Sequence, residues 1–431
     1  MAPLEEITEI YLKVIHVSTT DIIGGAGRSA YRLHKELQAL GINSRMLVQE
    51  KQSEDPSVLG PQNKVDKFVY LTRPTIDMLP LLLVGKGNKP ISTAWAPSWL
   101  AKRLRSLEGD ITHLHWVGKG FLRIEVIKTI SGPILWTLRD MWPMTGGCHH
   151  DFSCGRYEEH CGLCPRLESN HEVDLSRWIW QRKARAWRKK EFVIVCPSRW
   201  MADRARRSSL FRERRIEVIT NGLDLDRFRP LDCQQTRDWL GLPRDKKLIL
   251  FGALRPLESS FKGFPIFQQA TQILADMGWR DRLEIVILGA SRPLNVPDLA
   301  FKTHYIGHLR DELSLALVYG AVDVFAAPSI QDNLPSTVME ALACGTPCVG
   351  SNVGGIPEMI EQEVNGYLSA VSDAHSLAYG LNWILEDQER WHRLSQAARA
   401  KATRDFDQER QAKRYIGLYE ELIDAHRRKP D

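Results

Sequence analysis

Two carboxylates separated by seven residues are the clearest chemical signal in this sequence. Asp332 falls in a loop after a mostly apolar, strand-like run, and Glu340 falls one turn into the helix that follows. The sequence predicts that this helix is capped by Ser336. The unpaired N–H groups of a helix start bind phosphate, and a carboxylate accepts hydrogen bonds from a ribose diol. The segment therefore predicts a nucleotide site at the carboxyl end of a parallel sheet.

A glycine-rich pattern near the N-terminus is a second candidate for phosphate binding. Gly25 and Gly27 begin a G-x-G-x-x-A pattern between a predicted strand and a predicted helix, and Glu50 falls near the end of the next strand. Taken alone, the pattern fits the dinucleotide fingerprint of an NAD-dependent oxidoreductase. The acidic pair of the second half is not part of that fingerprint, so the oxidoreductase is kept as an alternative.

A cysteine cluster is the main candidate for metal binding. Four of the eight cysteines fall within seventeen residues: Cys148, Cys154, Cys161 and Cys164. Because disulfides are rare in the cytoplasm and four thiolates fill a tetrahedral shell, the spacing favours a structural zinc. An iron–sulfur centre and free thiols remain alternatives. Three histidines of the same segment could replace one thiolate: His149, His150 and His160.

Length and hydropathy limit the classes to which this protein can belong. A chain of 431 residues is too long for one compact core and predicts two or three domains. No apolar run reaches the roughly 18 residues that span a bilayer. The first residues are acidic and have no apolar segment typical of a secretory signal. We therefore expect a cytoplasmic protein, with peripheral contact at the inner face of the membrane as a possibility.

The formal net charge of +5 is unevenly distributed along the chain. Residues 177–215 contain fourteen Lys and Arg against three acids, which predicts an anionic partner. A basic helix in this segment has Trp180, Ala184 and Trp187 on one stripe. It could meet anionic lipid or a lipid diphosphate, or it could be an ordinary solvated face. A zinc-module nucleic-acid-binding protein is the second alternative function, although it leaves the acidic pair without a role.

Strand-like and helix-like segments alternate through both halves, which predicts parallel βαβ units. The predicted strands are residues 13–18, 45–48, 111–114, 134–138, 192–195, 216–219, 247–251, 283–288, 303–306, 323–327 and 347–349. A polar stretch at 221–230 separates the halves.

The acid-x7-acid spacing, the Gly-Thr-Pro of 345–347 and the Gly-Gly-Ile-Pro-Glu of 354–358 resemble the nucleotide-sugar site of the family-4 retaining glycosyltransferases. The resemblance implies the GT-B fold, an α/β fold with two Rossmann-like, doubly wound domains that face a cleft. The Cys-rich segment and the Asp-Met-Trp-Pro-Met sequence before it resemble an exopolysaccharide and colanic-acid-type subgroup.

The expected domains follow from this resemblance and from the order of the elements. Residues 1–220 form the acceptor-side domain, which contains the Cys-rich loop 146–165. Residues 221–405 form the nucleotide-sugar-binding domain, and residues 406–431 form a helix that packs back on the first domain.

The resemblance also implies roles for individual residues. The catalytic candidates are Asp332, Lys262, Arg255 and His115. The candidates for donor binding are Gly25, Gly27, Asn333, Leu334, Ser336, Thr337 and Glu340. Arg139 stands where many members of the family have His.

The implied reaction moves a sugar from a UDP- or GDP-linked donor to a carbohydrate or lipid-diphosphate-linked acceptor, in cell-surface polysaccharide synthesis. Anomeric configuration is retained, with the donor phosphate taking the acceptor proton. We expect no catalytic metal, because Arg255, Lys262 and the helix start can hold the diphosphate, and we expect no nucleic-acid partner.

Overall fold

Two parallel β-sheets organise the chain. The computed structural model describes residues 12–84, 91–259, 261–295 and 297–428. The expectation about a secretory signal concerns residues 1–11, which lie outside the described residues.

The first sheet contains seven strands, and every pairing in it is parallel. They are β1 (Lys13–Thr20), β2 (Asn43–Glu50), β3 (Val58–Leu59), β4 (Ile111–Leu114), β5 (Ile134–Thr137), β6 (Val193–Cys196) and β7 (Ile216–Val218). Their order across the sheet is β3-β2-β1-β4-β5-β6-β7. The central strands are apolar and buried, as expected of a parallel sheet covered by helices on both faces.

Five α-helices accompany this sheet. They are α1 (Gly24–Ala39), α2 (Lys64–Leu83), α3 (Leu100–Leu107), α4 (Leu175–Trp187) and α5 (Arg199–Arg207). Neither α2 nor α3 was among the predicted elements. Pro74 and Pro80 lie inside α2, and proline in a sequence predicts a helix break.

The second sheet repeats the same winding with six parallel strands. They are β8 (Lys247–Gly252), β9 (Leu283–Leu288), β10 (Thr303–Gly307), β11 (Val324–Ala327), β12 (Cys348–Ser351) and β13 (Gly366–Ser369), in the order β10-β9-β8-β11-β12-β13. Its helices are α6 (Cys233–Leu240), α7 (Phe264–Leu274), α8 (Glu312–Ala321), α9 (Ser336–Ala343), α10 (Ala374–Glu386) and α11 (Gln388–Asp405).

The last helix, α12 (Gln408–Arg427), returns to the first sheet. Tyr415 and Tyr419 are fully buried among residues of the N-terminal domain, and the Tyr419 hydroxyl lies 2.7 Å from Nδ1 of His113. The predicted fold class, two doubly wound parallel domains with a C-terminal helix returning to the first, is confirmed. The exact domain limits stay a prediction. None of the helices among the described residues is long and apolar enough to cross a membrane.

Candidate active site

A cleft of about 1530 Å³ lies between the two domains and receives residues from both. The C-terminal domain contributes the loops after β8 and β11 and the start of α9. The N-terminal domain contributes the start of α1, one edge of α2 and the loops after β4 and β5. The cleft thus opens at the carboxyl ends of strands, where doubly wound sheets bind their ligands.

Lys262 and Asp332, two of the catalytic candidates from the sequence, meet at this cleft. The Lys262 ammonium lies 2.6 Å from Oδ2 of Asp332, and both side chains are mostly buried. Gly263 makes this approach possible, because its φ is +77° and a Cβ there would lie 1.9 Å from the carbonyl oxygen of Pro328. An ammonium has three N–H donors, so Lys262 can bind Asp332 and an incoming anion together.

The start of α9 faces the same space, but its cap differs from the prediction. Ser336 is the first residue of the helix, and the N-cap is Pro335, whose ring offers no oxygen to the helix N–H groups. The Ser336 cap is therefore wrong, and this end of the helix keeps N–H donors for a ligand. Both Ser336 and Thr337 line the cleft.

Asn333 and Leu334 also line the cleft, although their side chains have structural partners. The Asn333 amide accepts from Ser198 Oγ at 2.7 Å and donates to the Leu138 carbonyl at 3.1 Å. Leu334 packs in the core of the C-terminal domain. Only the main-chain groups of Asn333 and Leu334 are therefore available to bind a nucleotide-sugar donor.

Glu340 is enclosed by partners that the sequence did not predict. Its carboxylate accepts from Arg32 at 2.8 Å and from the Tyr319 hydroxyl at 2.9 Å, and its side chain is 4% exposed. Arg32 comes from α1 of the other domain and also pairs with Glu312. A ribose could reach Glu340 only if Arg32 moved or shared the carboxylate. The ribose role stays a prediction.

The two glycines of the N-terminal pattern occupy different environments. A Cβ on Gly25 would point to the cleft, 3.4 Å from Ser336 Oγ. A Cβ on Gly27 would lie 2.6 Å from Thr20 Oγ1 and 2.7 Å from the Asp21 carbonyl oxygen. Gly27 is buried and allows helix and strand to pack closely, which gives it a structural role; its binding role stays a prediction.

Arg255 and Lys262 differ in how firmly they are held. Arg255 lines the cleft, but its side chain is 73% exposed and lies 3.7 Å from Glu258. Exposed pairs of this kind contribute little. The structure therefore brings Lys262 to Asp332 without bringing Arg255 to either.

His115 lies behind the cleft wall, 1% exposed. Its Nδ1 lies 3.2 Å from an Arg139 nitrogen, and its Nε2 lies 2.9 Å from Nδ1 of His16. Burial is the main reason that the pKa values of His16, His113 and His115 lie well below the ordinary value for histidine. The positive charge of Arg139 lowers these pKa values further. The predicted direct role of His115 is thus not supported by its position. Arg139 is the residue that reaches the cleft.

These three histidines are the one group within the described ranges whose ligand atoms all lie within 4.8 Å of one another. Their nitrogens are largely used by one another and by neighbours. His113, for example, contacts Tyr419 and Thr137 at 2.7 Å each. The nearby Arg139 guanidinium also disfavours a cation, so this cluster is better suited to holding Arg139 than a metal.

Asp140 follows β5 and connects the cleft to the Cys-rich loop. Its Oδ2 accepts from Trp116 Nε1 at 2.5 Å and lies 2.6 Å from His149 Nδ1. Burial alone would raise the pKa of Asp140, but His149 and the Trp142 N–H hold it below its usual range. His149 Nε2 lies 2.8 Å from Ser92 Oγ, so both of its ring nitrogens are in use. The proposal that His149 replaces a thiolate is therefore wrong.

The four clustered cysteines line one small internal cavity of about 20 Å³. They are free thiols. Because the four sulfurs do not all lie within 4.8 Å of one another, they do not form a closed metal shell here. The zinc stays a prediction.

The basic helix, α4, is more buried than expected. Lys183 is completely buried and donates to the carbonyls of Trp142 and Thr145. Arg182 pairs with Glu125 at 2.8 Å, and Trp187 is 2% exposed in the core. Much of the positive charge therefore serves internal contacts, and α4 is not the ordinary solvated face that was one of the two alternatives.

Apolar exposure is concentrated on α2 instead. Its large exposed side chains, with that of its C-cap, are Val65, Phe68, Leu71, Met78, Leu79, Leu82, Leu83 and Val84. Four residues of α2 are buried: Tyr70, Arg73, Asp77 and Leu81. One edge of this helix, including Leu71 and Met78, lines the cleft.

Solved structures with the same architecture define the class of the fold. A sucrose-phosphate synthase from Thermosynechococcus elongatus aligns with a TM-score of 0.65 and 18% identity over 96% of this chain and 100% of that chain. Anabaena HepE in complex with UDP and glucose aligns with a TM-score of 0.60 and 16% identity over 94% and 99%. The chain has the GT-B fold of glycosyltransferases.

Sequence similarity identifies the family. The model for Glycosyltransferase Family 4 matches residues 23–227, and that for Glycosyl transferases group 1 matches residues 296–401. A D-inositol 3-phosphate glycosyltransferase from Frankia alni is 31% identical over 399 residues, which cover 88% of this chain and 90% of the relative. The chain therefore belongs to the group 1, family 4 glycosyltransferases.

Other curated relatives match over a shorter span. A D-inositol 3-phosphate glycosyltransferase from Saccharomonospora viridis is 31% identical to this chain over 227 residues, and the match spans 51% of that protein. The predicted family is confirmed, whereas these relatives do not point to the colanic-acid-type subgroup. Membership in the family favours the transferase over the oxidoreductase and nucleic-acid alternatives.

Proposed function

We propose that this protein transfers a sugar, with retention, from a UDP- or GDP-linked donor to a lipid-diphosphate-linked acceptor in cell-surface polysaccharide synthesis. The observation that carries the proposal is the pairing of Lys262 with Asp332 at 2.6 Å, beside the start of α9. It brings a cation, a carboxylate and a helix N-terminus to one point of the cleft. HepE, which shares the fold, has been solved with UDP-glucose.

The donor diphosphate would lie between the start of α9 and the Gly25 turn. Lys262 would neutralise the charge that builds on the departing diphosphate, and N–H groups at Ser336 and Thr337 would bind its oxygens. Asp332 would orient the sugar. The donor phosphate itself would take the acceptor proton on the face from which it leaves, so the protein need not supply a strong base. Cationic and helix-end groups make a catalytic metal unnecessary.

The acceptor would lie along the N-terminal domain, where apolar and cationic side chains adjoin. Leu71 and Met78 of α2 line the cleft, as do Lys51 and Lys119. An apolar tail with an anionic diphosphate fits this combination. The exposed row on α2 continues beyond the cleft and suits contact with an anionic membrane, since apolar side chains insert at the lipid boundary.

An inositol phosphate acceptor is a second candidate, because the curated relatives carry that activity in their names. The cations Lys51, Lys119 and Arg103 lining the cleft could bind its phosphate. This candidate gives the apolar row of α2 no part in catalysis.

A donor panel tests the proposal. Purified protein is incubated with UDP- and GDP-linked sugars and either a polyprenyl-diphosphate-linked sugar or inositol 3-phosphate, and mass spectrometry identifies the released nucleotide and the product. We expect UDP or GDP release that depends on the lipid-linked acceptor, and proton NMR should show retained configuration. Transfer to inositol 3-phosphate alone would select the second candidate. No transfer from any nucleotide sugar, with intact fold, would contradict both.

The cysteine-bound zinc predicted from the sequence is a proposal about the loop 146–165, separate from the transfer reaction.

A further inference from the structure

We propose that Cys148, Cys154, Cys161 and Cys164 bind one zinc ion, and that this metal holds the domain-bridging contact next to Asp332. The four residues belong to the loop 146–165, here called the cysteine loop. They come from different turns of that loop and yet line the same small cavity. A metal would connect these turns directly.

A backbone N–H group points at one of the sulfurs in the way that thiolate ligands require. The Gly146 N–H donates to Cys161 Sγ at 3.1 Å. The Leu167 N–H donates to the Cys164 carbonyl oxygen at 3.1 Å and so fixes the turn that carries this cysteine. Such outer hydrogen bonds stabilise the charged sulfur and orient metal ligands. Cys161 therefore has a main-chain donor suited to a thiolate.

A buried cation beside the cluster is the second observation. Lys183 is fully buried, and its ammonium donates at 2.9 Å to the carbonyl of Thr145, a residue that lines the same cavity as the four cysteines. Four thiolates and one Zn²⁺ carry a net charge of about −2. Such a centre would compensate Lys183 and the nearby Arg166, whereas four neutral thiols would not.

The cluster has to contract on binding the ion. A tetrahedral shell with Zn–S bonds of about 2.3 Å requires sulfurs roughly 3.8 Å apart. The four sulfurs do not all lie within 4.8 Å of one another, although the cavity between them measures about 20 Å³. We expect metal binding to draw the turns of the loop together and so to stiffen it.

The cysteine loop reaches the C-terminal domain at two places, through the His150 ring, whose centroid lies 4.5 Å from that of Phe261, and through Gln331. The Phe152 N–H donates to Gln331 Oε1, and Gln331 Nε2 donates to Asp151 Oδ1, both at 2.9 Å. Gln331 is buried and directly precedes Asp332. The loop thus contacts the segment that carries the carboxylate of the cleft, and a metal that fixes the loop also fixes this contact.

Metal content tests the binding directly and needs no sugar substrate. The full chain is purified under reducing conditions, and zinc is measured by mass spectrometry in the wild type, in Cys161→Ser/Cys164→Ser and in the matched control Cys233→Ser, whose thiol lies outside the cluster. We expect about one zinc per chain in the wild type and the control, and less than a tenth in the double variant. Absence of zinc from the wild type, or its retention by the double variant, would overturn the proposal.

If the double variant does not fold, alkylation of the wild type gives the answer. Zinc should protect the four clustered thiols from alkylation until a chelator is added, leaving Cys233 equally reactive before and after. Protection that a chelator does not remove, or protection lost only on reduction of disulfides, would overturn zinc binding.

The variant Gln331→Ala removes the contact between the cysteine loop and the C-terminal domain at Gln331 without removing a metal ligand. The variant should keep its zinc, while amides 151–153 exchange hydrogen at least threefold faster. The chelated wild type should show the same faster exchange. Unchanged exchange at 151–153 after zinc removal would show that the metal does not hold this contact and would overturn the second half of the proposal.

Discussion

The two walls of the cleft are built differently. The C-terminal wall takes its polar groups from two short segments, around Lys262 and from Asp332 to Thr337, and they meet at hydrogen-bond distance. The N-terminal wall collects single residues from many elements, including apolar side chains of α2 and isolated cations. The polar groups of the C-terminal wall are concentrated at one place. Those of the N-terminal wall are spread over a broad surface that also contains apolar side chains.

This difference indicates which effects should be large. Lys262 and Asp332 are mostly buried, so their interaction with a diphosphate is poorly screened by solvent. Two cations of the opposite wall, Lys119 and Lys67, are exposed, whereas Arg139 is held by Asn221 and His115. Substitutions on the C-terminal wall should therefore change the chemical step, whereas those on the N-terminal wall should change acceptor or membrane binding.

The largest effect is expected from Lys262→Ala. Removing one preorganised hydrogen-bond donor that stabilises the charge of the transition state typically lowers kcat by roughly 100-fold or more. Arg255→Ala is the matched control, since that cation is 73% exposed, and it should lower kcat only about threefold or less. Steady-state kinetics measure both, and equal losses would remove the distinction between the two cations.

The second-largest effect is expected from Glu340→Gln, which should weaken binding of the nucleotide-sugar donor. Losing a charged acceptor for the ribose costs about 1.5–3 kcal/mol in calorimetric affinity. Arg32→Met sharpens this test, because it frees Glu340 from its partner in the other domain. If Glu340 binds ribose, Arg32→Met leaves donor affinity equal or higher. If Glu340→Gln and Arg32→Met weaken donor binding equally, the Arg32–Glu340 ion pair has only a structural role.

Gly27→Ala and Gly25→Ala should separate folding from binding. The Gly27 methyl would meet main chain at 2.7 Å, so we expect a loss of about 1–3 kcal/mol in the free energy of unfolding. The Gly25 methyl has room in the fold but enters the cleft, so this variant should unfold normally and show a higher KM for the donor. Denaturant unfolding and initial rates distinguish the two outcomes.

The smallest effect is expected on α2. Leu79→Asp/Leu82→Asp should lower binding to vesicles of anionic lipid severalfold, because it places charge on an apolar row. Trp239→Asp is the control, an equally apolar substitution site that is 62% exposed on the C-terminal domain. Equal binding by both variants would exclude α2 as the membrane contact.

The alternation of apolar segments predicted the two sheets, because period and spacing are local properties of a sequence. The family resemblance named Lys262 and Asp332 as candidates for one site, whereas their ion pair is seen only in the structure. The Arg32–Glu340 pair was not predictable, since its members are separated by 308 residues and belong to different domains. The burial of Lys183 was not predictable either, because the charge of a lysine alone predicts exposure and only the packing of α4 buries it.

Hydrogen exchange with a nucleoside diphosphate tests the division between the walls most directly. UDP or GDP is added at saturating concentration, and amide exchange is compared with that of the free protein. Our account predicts protection at 262–266 and 333–339, with exchange at 64–84 unchanged. Protection confined to the segment 24–30, or no protection around the start of α9, would contradict the assignment of the donor site to the C-terminal wall.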